Sequence, residues 1–500
     1  MGMRYGLKLY GSDTYGAPTN TNKIWVIQVD WDEDGAYGSG NEAFYCVDMS
    51  VRRGRQFFLG SEGQGYQPFG VGTCTLSFIN TNGRFDAFNT SSPLSPDVEP
   101  GKFITAYFLD GLGGTQYDVF TGTIEDIEPY RQNGLEHVRV YCKDGWQWLK
   151  DEEANIDVET NIATGTAIGM ILDDIGWPTL WGRSLDTGDL TVPYWWVSGK
   201  AASVAIQELV DAEGGRFYIA ADGTATFESR NASSAEVVAI TESQAGKEVS
   251  MPQPWDVVRN RYEVVVHPTV ERTSVTLWEL GGTISLGAGE SRTLFANLQY
   301  DNRPVVATGT PSSSLTANTA ADGTGTDLSS DFTITIDAVF GEIVKLTVEN
   351  TSASSGHLTS ATLTGDGVDI PYTYKLVQDD SGTDQPRVFT LESRNIQAPA
   401  EAETQLTFLA TLLASIREFP YLRLEDRLEQ QFSPDLTNNV RLDIPTKGVD
   451  NTSYRLGWVE HNWLHQSGQA IESIMRFEPF VEIDQFTLDV DSLDGTEVLG

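Results

Sequence analysis

The stretch 117–143, YDVFTGTIEDIEPYRQNGLEHVRVYCK, reads as two β-strands around a tight turn. Asn133-Gly134 is a dipeptide that accepts the positive φ angles of a two-residue hairpin turn. Beyond it Val138, Val140 and Cys142 alternate with polar neighbours, the period of a strand with one buried face. A second stretch, 457–477, GWVEHNWLHQSGQAIESIMRF, repeats the plan. Gly122-Thr-Ile124-Glu125 matches Gly457-Trp-Val459-Glu460, and a turn at Ser467-Gly468 takes the place of Asn133-Gly134. The glycine-to-glycine spacings are 12 and 11 residues. A duplicated unit is one reading of this echo and coincidence the other.

Working outward from the first hairpin, IWVIQVDW, AFYCVDMSV, CTLSFIN and KFITAYFLD are short runs rich in β-branched and aromatic residues, with Gly, Pro, Asn and Asp between them. Six strands in 1–148 predict a barrel or sandwich. After Trp148 the texture changes. Ala167, Ile168, Ile171, Leu172 and Ile175 recur at helical spacing until Gly176 and Pro178 stop them, and a second helix fits 201–213 ahead of Gly214-Gly215. RFYIAADGTATFESR carries Asp222-Gly223 between two alternating runs, another hairpin signal. Residues 402–418 predict a helix with Leu406, Leu409, Leu412, Leu413 and Ile416 on one stripe.

The expected fold is mainly β, in five parts. Residues 1–148 form a first barrel and 149–248 a small α+β domain. Residues 249–269 with 373–485 form a second barrel carrying the 402–418 helix, 270–372 an inserted all-β, sandwich-like domain, and 486–500 an extended acidic tail. The segment VATGTPSSSLTANTAADGTGTDLSS within the insertion reads as a low-complexity loop.

Composition narrows the function. The formal charge is -38, from 33 basic and 71 acidic residues. Phosphate neutralisation needs clustered Lys and Arg, so neither nucleic acid nor an anionic membrane is an expected partner. The acidity fits solubility, salt adaptation, or a surface that DNA passes without sticking. Cys46, Cys74 and Cys142 are too few and too far apart for a disulfide framework or a zinc site, and are expected as free thiols. The start MGMRYGLKLYG has no apolar signal core, and no run of 18 apolar residues exists. Synthesis in the cytoplasm without a membrane anchor is the expectation.

Catalytic patterns are weak. His461 and His465 lie four apart beside Glu460, but a strand would separate them by roughly 13 Å, too far for one metal. No nucleophile elbow, phosphate loop or dinucleotide fingerprint occurs. The Asp-rich turns TGDGVD and DEDG lack EF-hand spacing and read as plain turns. Trp195 and Trp196 suit a core or a subunit contact better than a sugar platform. No catalytic, cofactor-binding or metal-binding residue is nominated.

In this order the segments resemble the hub (tail-associated, minor tail) proteins of long-tailed phages. The start YGLKLYGSDTYG, then GVGTCTLSFINTNGRFDAFN, LSPDVEPGKFITAYFL and YDVFTGTIEDI are similar to the family's first hub barrel. The positions that carry the likeness are Asn80, Gly83, Phe85, Pro100, Gly101, Phe120, Gly122 and Ile124. DGWQWLKDEEANI, ILDDIGWP and LVDAEGGRFYIAADGTATFESR resemble the middle domain, and FTLDVDSLDGTEVLG the C-terminus. The likeness covers 1–265 and roughly 375–500 and leaves 270–372 as an insertion. It implies a homotrimer with two barrels per chain, making a pseudo-sixfold ring at the tail tip that adapts a hexameric tube to a threefold tip. It implies no cofactor. Its implied partners are the distal tail or tube protein, the tape measure protein and other tip or fibre proteins, with genomic DNA passing through unbound. A receptor- or carbohydrate-binding tail protein acting through the insertion is the alternative, and a tail-borne glycosidase or peptidase stands third.

Overall fold

The computed structural model describes residues 23–38, 40–56, 59, 67–110, 114–246, 248–464 and 471–480. The expected N-terminal signature, His465 and the tail 486–500 therefore lie outside the described residues. The fold is mainly β, as the alternating runs predict.

The first unit has six strands: β1 (Lys23–Val29), β2 (Cys46–Gly54), β3 (Thr73–Ile79), β4 (Phe103–Asp110), β5 (Gln116–Gln132) and β6 (Leu135–Lys143). They lie side by side in the order β1-β4-β5-β6-β3-β2, every pair antiparallel. β5 gives its first half to β4 and its second half to β6, with a register shift between Ile124 and Asp126 where a bulge bends the strand. All six strands contribute to one core that includes Ile27, Val51, Leu76, Phe108, Phe120 and Val140. Cys74 and Cys142 face each other across β3 and β6, and all three cysteines are buried free thiols.

The second unit also has six strands: β7 (Glu236–Thr241), β8 (Glu248–Ser250), β9 (Tyr421–Glu425), β10 (Asn439–Ile444), β11 (Val449–Leu464) and β12 (Ile471–Pro479). Their order is β7-β10-β11-β12-β9-β8. Ranked by position in the chain, this is the order of the first unit. Four of the five pairings keep the antiparallel sense, and β7 departs by running parallel to β10. The unit has a core of its own, with Leu422, Leu442, Leu456, Met475 and Phe477. Pairing of β2 with β11 fuses the units into one twelve-stranded sheet.

Two segments sit elsewhere than the sequence division puts them. Strand β7 and the first residue of β8, Glu248, come from residues assigned to the α+β domain, yet they complete the second unit. Arg261–Val266, assigned to the second barrel, instead pairs with Tyr374–Asp379 and Val388–Glu392 in a separate three-stranded sheet. That sheet packs on the helical layer, since Tyr262, Val264, Phe389 and Leu391 share a core with α1 (Gly145–Asp151), α2 (Thr164–Asp174), α3 (Ala202–Glu213) and α4 (Pro399–Leu413). Its strands alternate like those of a barrel, so local pattern carries no sign of which sheet they join.

The helix expected over 402–418 starts earlier and ends at Leu413. The Arg259 N–H takes the Leu413 carbonyl, and the Arg417 side chain donates to the carbonyls of Thr411 and Leu412. These bonds occupy acceptors that a further turn would need, so Ile416 is left half exposed, at 50 %. In the insertion two sheets enclose one core of Leu277, Leu346, Leu358 and Leu363. The expected low-complexity loop contains a strand, Ser312–Asn318, against Gly356–Asp369. Ala317 turns into the core and the Ser314 and Thr362 hydroxyls bond across the pair at 2.6 Å. Ser and Thr disguise a strand whose outer face is wet.

Candidate assembly site at the seam

The seam between the units is built from β2 and β11, in register from Asp48 opposite Leu464 to Gly54 opposite Trp458. Gly54 has φ +106, and a Cβ there would lie 2.3 Å from the Gly457 carbonyl oxygen. Only glycine allows this approach. The next residue continues the contact, its N–H donating to that oxygen at 2.9 Å. Side chains tie the same strands: Ser50 Oγ donates to Asn462 Oδ1 at 2.7 Å, and Arg52 meets Glu460 at 3.0 Å. Trp25 of β1 lies 5.3 Å from Trp463 of β11 and 5.5 Å from Phe108 of β4, ring centre to ring centre.

Two buried ion pairs flank the seam. Arg53 donates to Asp435 at 2.6 Å, and Asp435 also accepts from the Ala221 N–H at 2.7 Å. Arg55 grips Glu478 with two bonds of 2.6 Å. Paired forks of this kind fix orientation as well as distance. Sequence reasoning missed these residues, because partners 382 and 423 positions apart leave no local pattern.

The eight positions of the family likeness gather in two places in the first unit. Asn80 Oδ1 accepts from the Phe85 N–H at 2.9 Å, turning the chain after β3. Phe85 is buried against Phe78, Tyr45 and Trp31. Gly83 has φ +65 and leaves room for Asn89, whose amide closes the loop on the carbonyls of Asn82 and Gly83. Arg84 clamps the loop to Glu42 at 2.6 and 3.0 Å, which raises the guanidinium pKa. At the second place Pro100 is exposed and Gly101, φ +95, donates to the Ile124 carbonyl at 2.7 Å. Phe120 and Ile124 point into the core, and a Cβ on Gly122 would lie 2.0 Å from the Lys143 carbonyl oxygen. These residues shape a scaffold and bring no reactive groups together.

Beside the seam Arg53, Asp118, Asp222, Asp435 and His461 line a cleft of about 350 Å³. Burial raises the Asp118 pKa, partly opposed by the Gln116 amide. His461 stacks on Phe432 at 4.5 Å and shares a 2.7 Å hydrogen bond with the buried Ser473 hydroxyl. Burial, and then the charge of Arg53, push its pKa down to about 3. Both causes favour the neutral form of this packed imidazole.

The Asp-rich turns and the paired tryptophans are also in structural use. Asp30, Asp32 and Asp34 carry carboxylates within 4.8 Å of one another, and Asp30 accepts from the N–H groups of Asp34 and Gly35 to fold the turn. In TGDGVD, Asp369 pairs with Arg272 at 2.8 Å and Asp366 accepts from the Ser274 N–H. Trp195 and Trp196 are buried, and Arg394 lies over the Trp196 ring at 4.8 Å. Among the described residues no helix is long and apolar enough to cross a membrane.

No family model and no curated protein matches the chain. Solved structures of similar outline include a tail protein from Neisseria meningitidis MC58, at 9% identity and a TM-score of 0.49, covering 91% of this chain and 96% of that one. A 43 kDa tail protein of prophage MuSo2 from Shewanella oneidensis is similar at 10% identity and a TM-score of 0.47, over 91% and 97% of the two chains. A prophage tail protein from Listeria monocytogenes EGD-e is similar at 6% identity and a TM-score of 0.42, over 90% and 94%.

Proposed function

We propose that this chain is a structural subunit of a virus tail: a trimeric hub at the distal end of a phage-type tail tube, acting by assembly and not by catalysis. The observation that carries the reading is the repeated strand order, β1-β4-β5-β6-β3-β2 and β7-β10-β11-β12-β9-β8, fused through one seam. Three copies of such a chain offer six similar units to a sixfold tube and threefold symmetry to the tip. Heterologous contacts that close into a ring also cover strand edges, and among the described residues β1, β7 and β8 are each paired on one side only within this sheet. The order of hub-like segments in the sequence supports the same reading. Tube or distal tail protein, tape measure protein and tip or fibre proteins are the partners this implies, and the tail tip of the virion its location, after assembly in the host cytoplasm. The charge of -38 suits a channel wall that repels DNA and keeps it centred. Quantitative mass spectrometry of purified tails tests the reading: half as many copies as one ring of tube subunits is expected, and equal numbers would overturn it.

One observation favours a second role. In the insertion Trp278 and Tyr300 line a groove with Asn297, Gln299 and Asn302, aromatic surface beside amides, as sugar recognition requires. Binding of host cell-wall glycans by the full chain, lost in Trp278→Ala, would establish it, and no binding would remove it.

A further inference from the structure

Four arginines converge where the end of β2, the helical layer and the second unit meet. Arg55, Arg216, Arg230 and Arg455 line a small cavity of about 50 Å³ together with the carboxylate of Glu478, with Phe408 as part of its apolar wall. Three of them are matched by carboxylates: Arg55 with Glu478 at 2.6 Å, Arg216 with Glu228 at 2.9 Å and Arg230 with Glu401 at 3.0 Å. Arg455 is different. One terminal nitrogen donates to the Ala232 carbonyl at 3.0 Å, while Nε is sealed from solvent with no acceptor among the described residues. The guanidinium lies over the Phe480 ring at 4.8 Å. Burial, and then the neighbouring Arg216, lower its pKa to about 9 against the opposing pull of the Glu228 and Glu478 carboxylates, which are held by Arg216 and Arg55.

Among the described residues this guanidinium pairs with no carboxylate at ion-pair distance, and its Nε has no acceptor, each costly to leave unmet in a buried place. The guanidinium fork matches the two oxygens of a carboxylate. The space suffices, since one water needs only about 10–15 Å³ measured in the same way.

We propose that this cavity is a binding site for one oxyanion of the carboxylate class, held by Arg455 with Arg216 beside it. The occupant joins parts of the chain that are far apart in sequence and so holds the two units against the helical layer. Two sources can supply the group. One is the stretch 481–500, VEIDQFTLDVDSLDGTEVLG, which has six acidic residues and no Lys or Arg. Its first acid, Glu482, follows Phe480 by two residues, a reach of about 7 Å. The other is a free anion.

The test is thermal unfolding of the full chain in formate, against chloride at equal ionic strength. Its companion is a variant with the six acids neutralised: Glu482→Gln, Asp484→Asn, Asp489→Asn, Asp491→Asn, Asp494→Asn and Glu497→Gln. If the stretch fills the site, the neutralised chain melts about 2 °C lower and formate restores it saturably, while the parent does not respond. If a free anion fills it, the parent itself gains in formate and neutralisation changes nothing. In both cases Arg455→Met abolishes the formate response. Should that variant fail to fold, Arg455→Lys keeps the charge without the fork and raises the half-saturating formate concentration about tenfold. A response in neither chain, or one that survives loss of the guanidinium, overturns the proposal.

Discussion

Arg53, at the end of β2, and Asp435, ahead of β10, meet at 2.6 Å although 382 residues separate them. Arg53 also reaches the Ile219 carbonyl and Asp435 the Ala221 N–H, so the pair joins both units to the Arg216–Ile219 strand. The Arg53 side chain is 4% exposed, so removal of its partner strands a buried charge. Asp435→Ala is expected to lower unfolding stability by about 3 kcal/mol. Chemical denaturation of the full chain checks this, and Arg52→Ala, at an exposed pair across the same seam, should cost under about 1 kcal/mol.

The echoed glycines are expected to behave alike. Gly122 lies against the Lys143 carbonyl, and a Cβ on Gly457 would lie 2.7 Å from the Glu478 side chain, displacing the carboxylate that holds Arg55. Gly122→Ala and Gly457→Ala should each lower the melting temperature by several degrees, the first more because backbone cannot step aside. Gly281→Ala, with open space around it, should leave the melting temperature unchanged within about 1 °C. Differential scanning calorimetry of the three variants decides.

Asp144 caps α1 by accepting from the Trp146 N–H, and burial raises its carboxyl pKa to about 7. In the unfolded chain this carboxyl ionises near pH 4. Between about pH 4 and pH 7 the folded chain holds a proton that the unfolded chain has released. Its contribution to stability is therefore complete at low pH and is lost as pH rises through 7. Asp144→Asn keeps a capping oxygen and removes the titration. Relative to the variant, the parent should lose stability from pH 4 to 7 with a slope of up to about 1.4 kcal/mol per pH unit, and run parallel above pH 8.

Val270 and Asp369 are direct partners across an antiparallel pair, so the insertion leaves and rejoins the chain at nearly one point. Its core is separate. Replacing 270–369 by a short Gly/Ser linker should leave a folded chain with a cooperative transition. Contacts such as Ser198 Oγ to the Phe340 carbonyl at 2.8 Å disappear, so a modest drop in melting temperature is expected. Circular dichroism with a melting curve reads both.

The hairpins, the helix runs near 164–174 and 202–213 and the β-rich character are legible in the sequence, because each depends on residues within a few positions of one another. Asp222-Gly223 marks its turn by chemistry alone, with Gly223 at φ +88. Long-range pairing is not legible. Nothing in Cys46–Gly54 names Val449–Leu464 as its neighbour, and nothing in RYEVVV excludes it from the large sheet. Of the eight positions of the family likeness, Asn80, Gly83, Gly101 and Gly122 serve turns and close approaches, where residue type is constrained, and Phe85, Phe120 and Ile124 fill the core. The arginine sites are not legible, because an arginine in a strand looks the same whether its partner is solvent or a carboxylate 423 residues away.

A three-dimensional reconstruction of the intact tail tip tests the account most directly. The account predicts three copies of the chain at the end of the tube, their six six-stranded units forming one ring around the channel. Six copies, a single copy, or three copies standing outside the ring would contradict it.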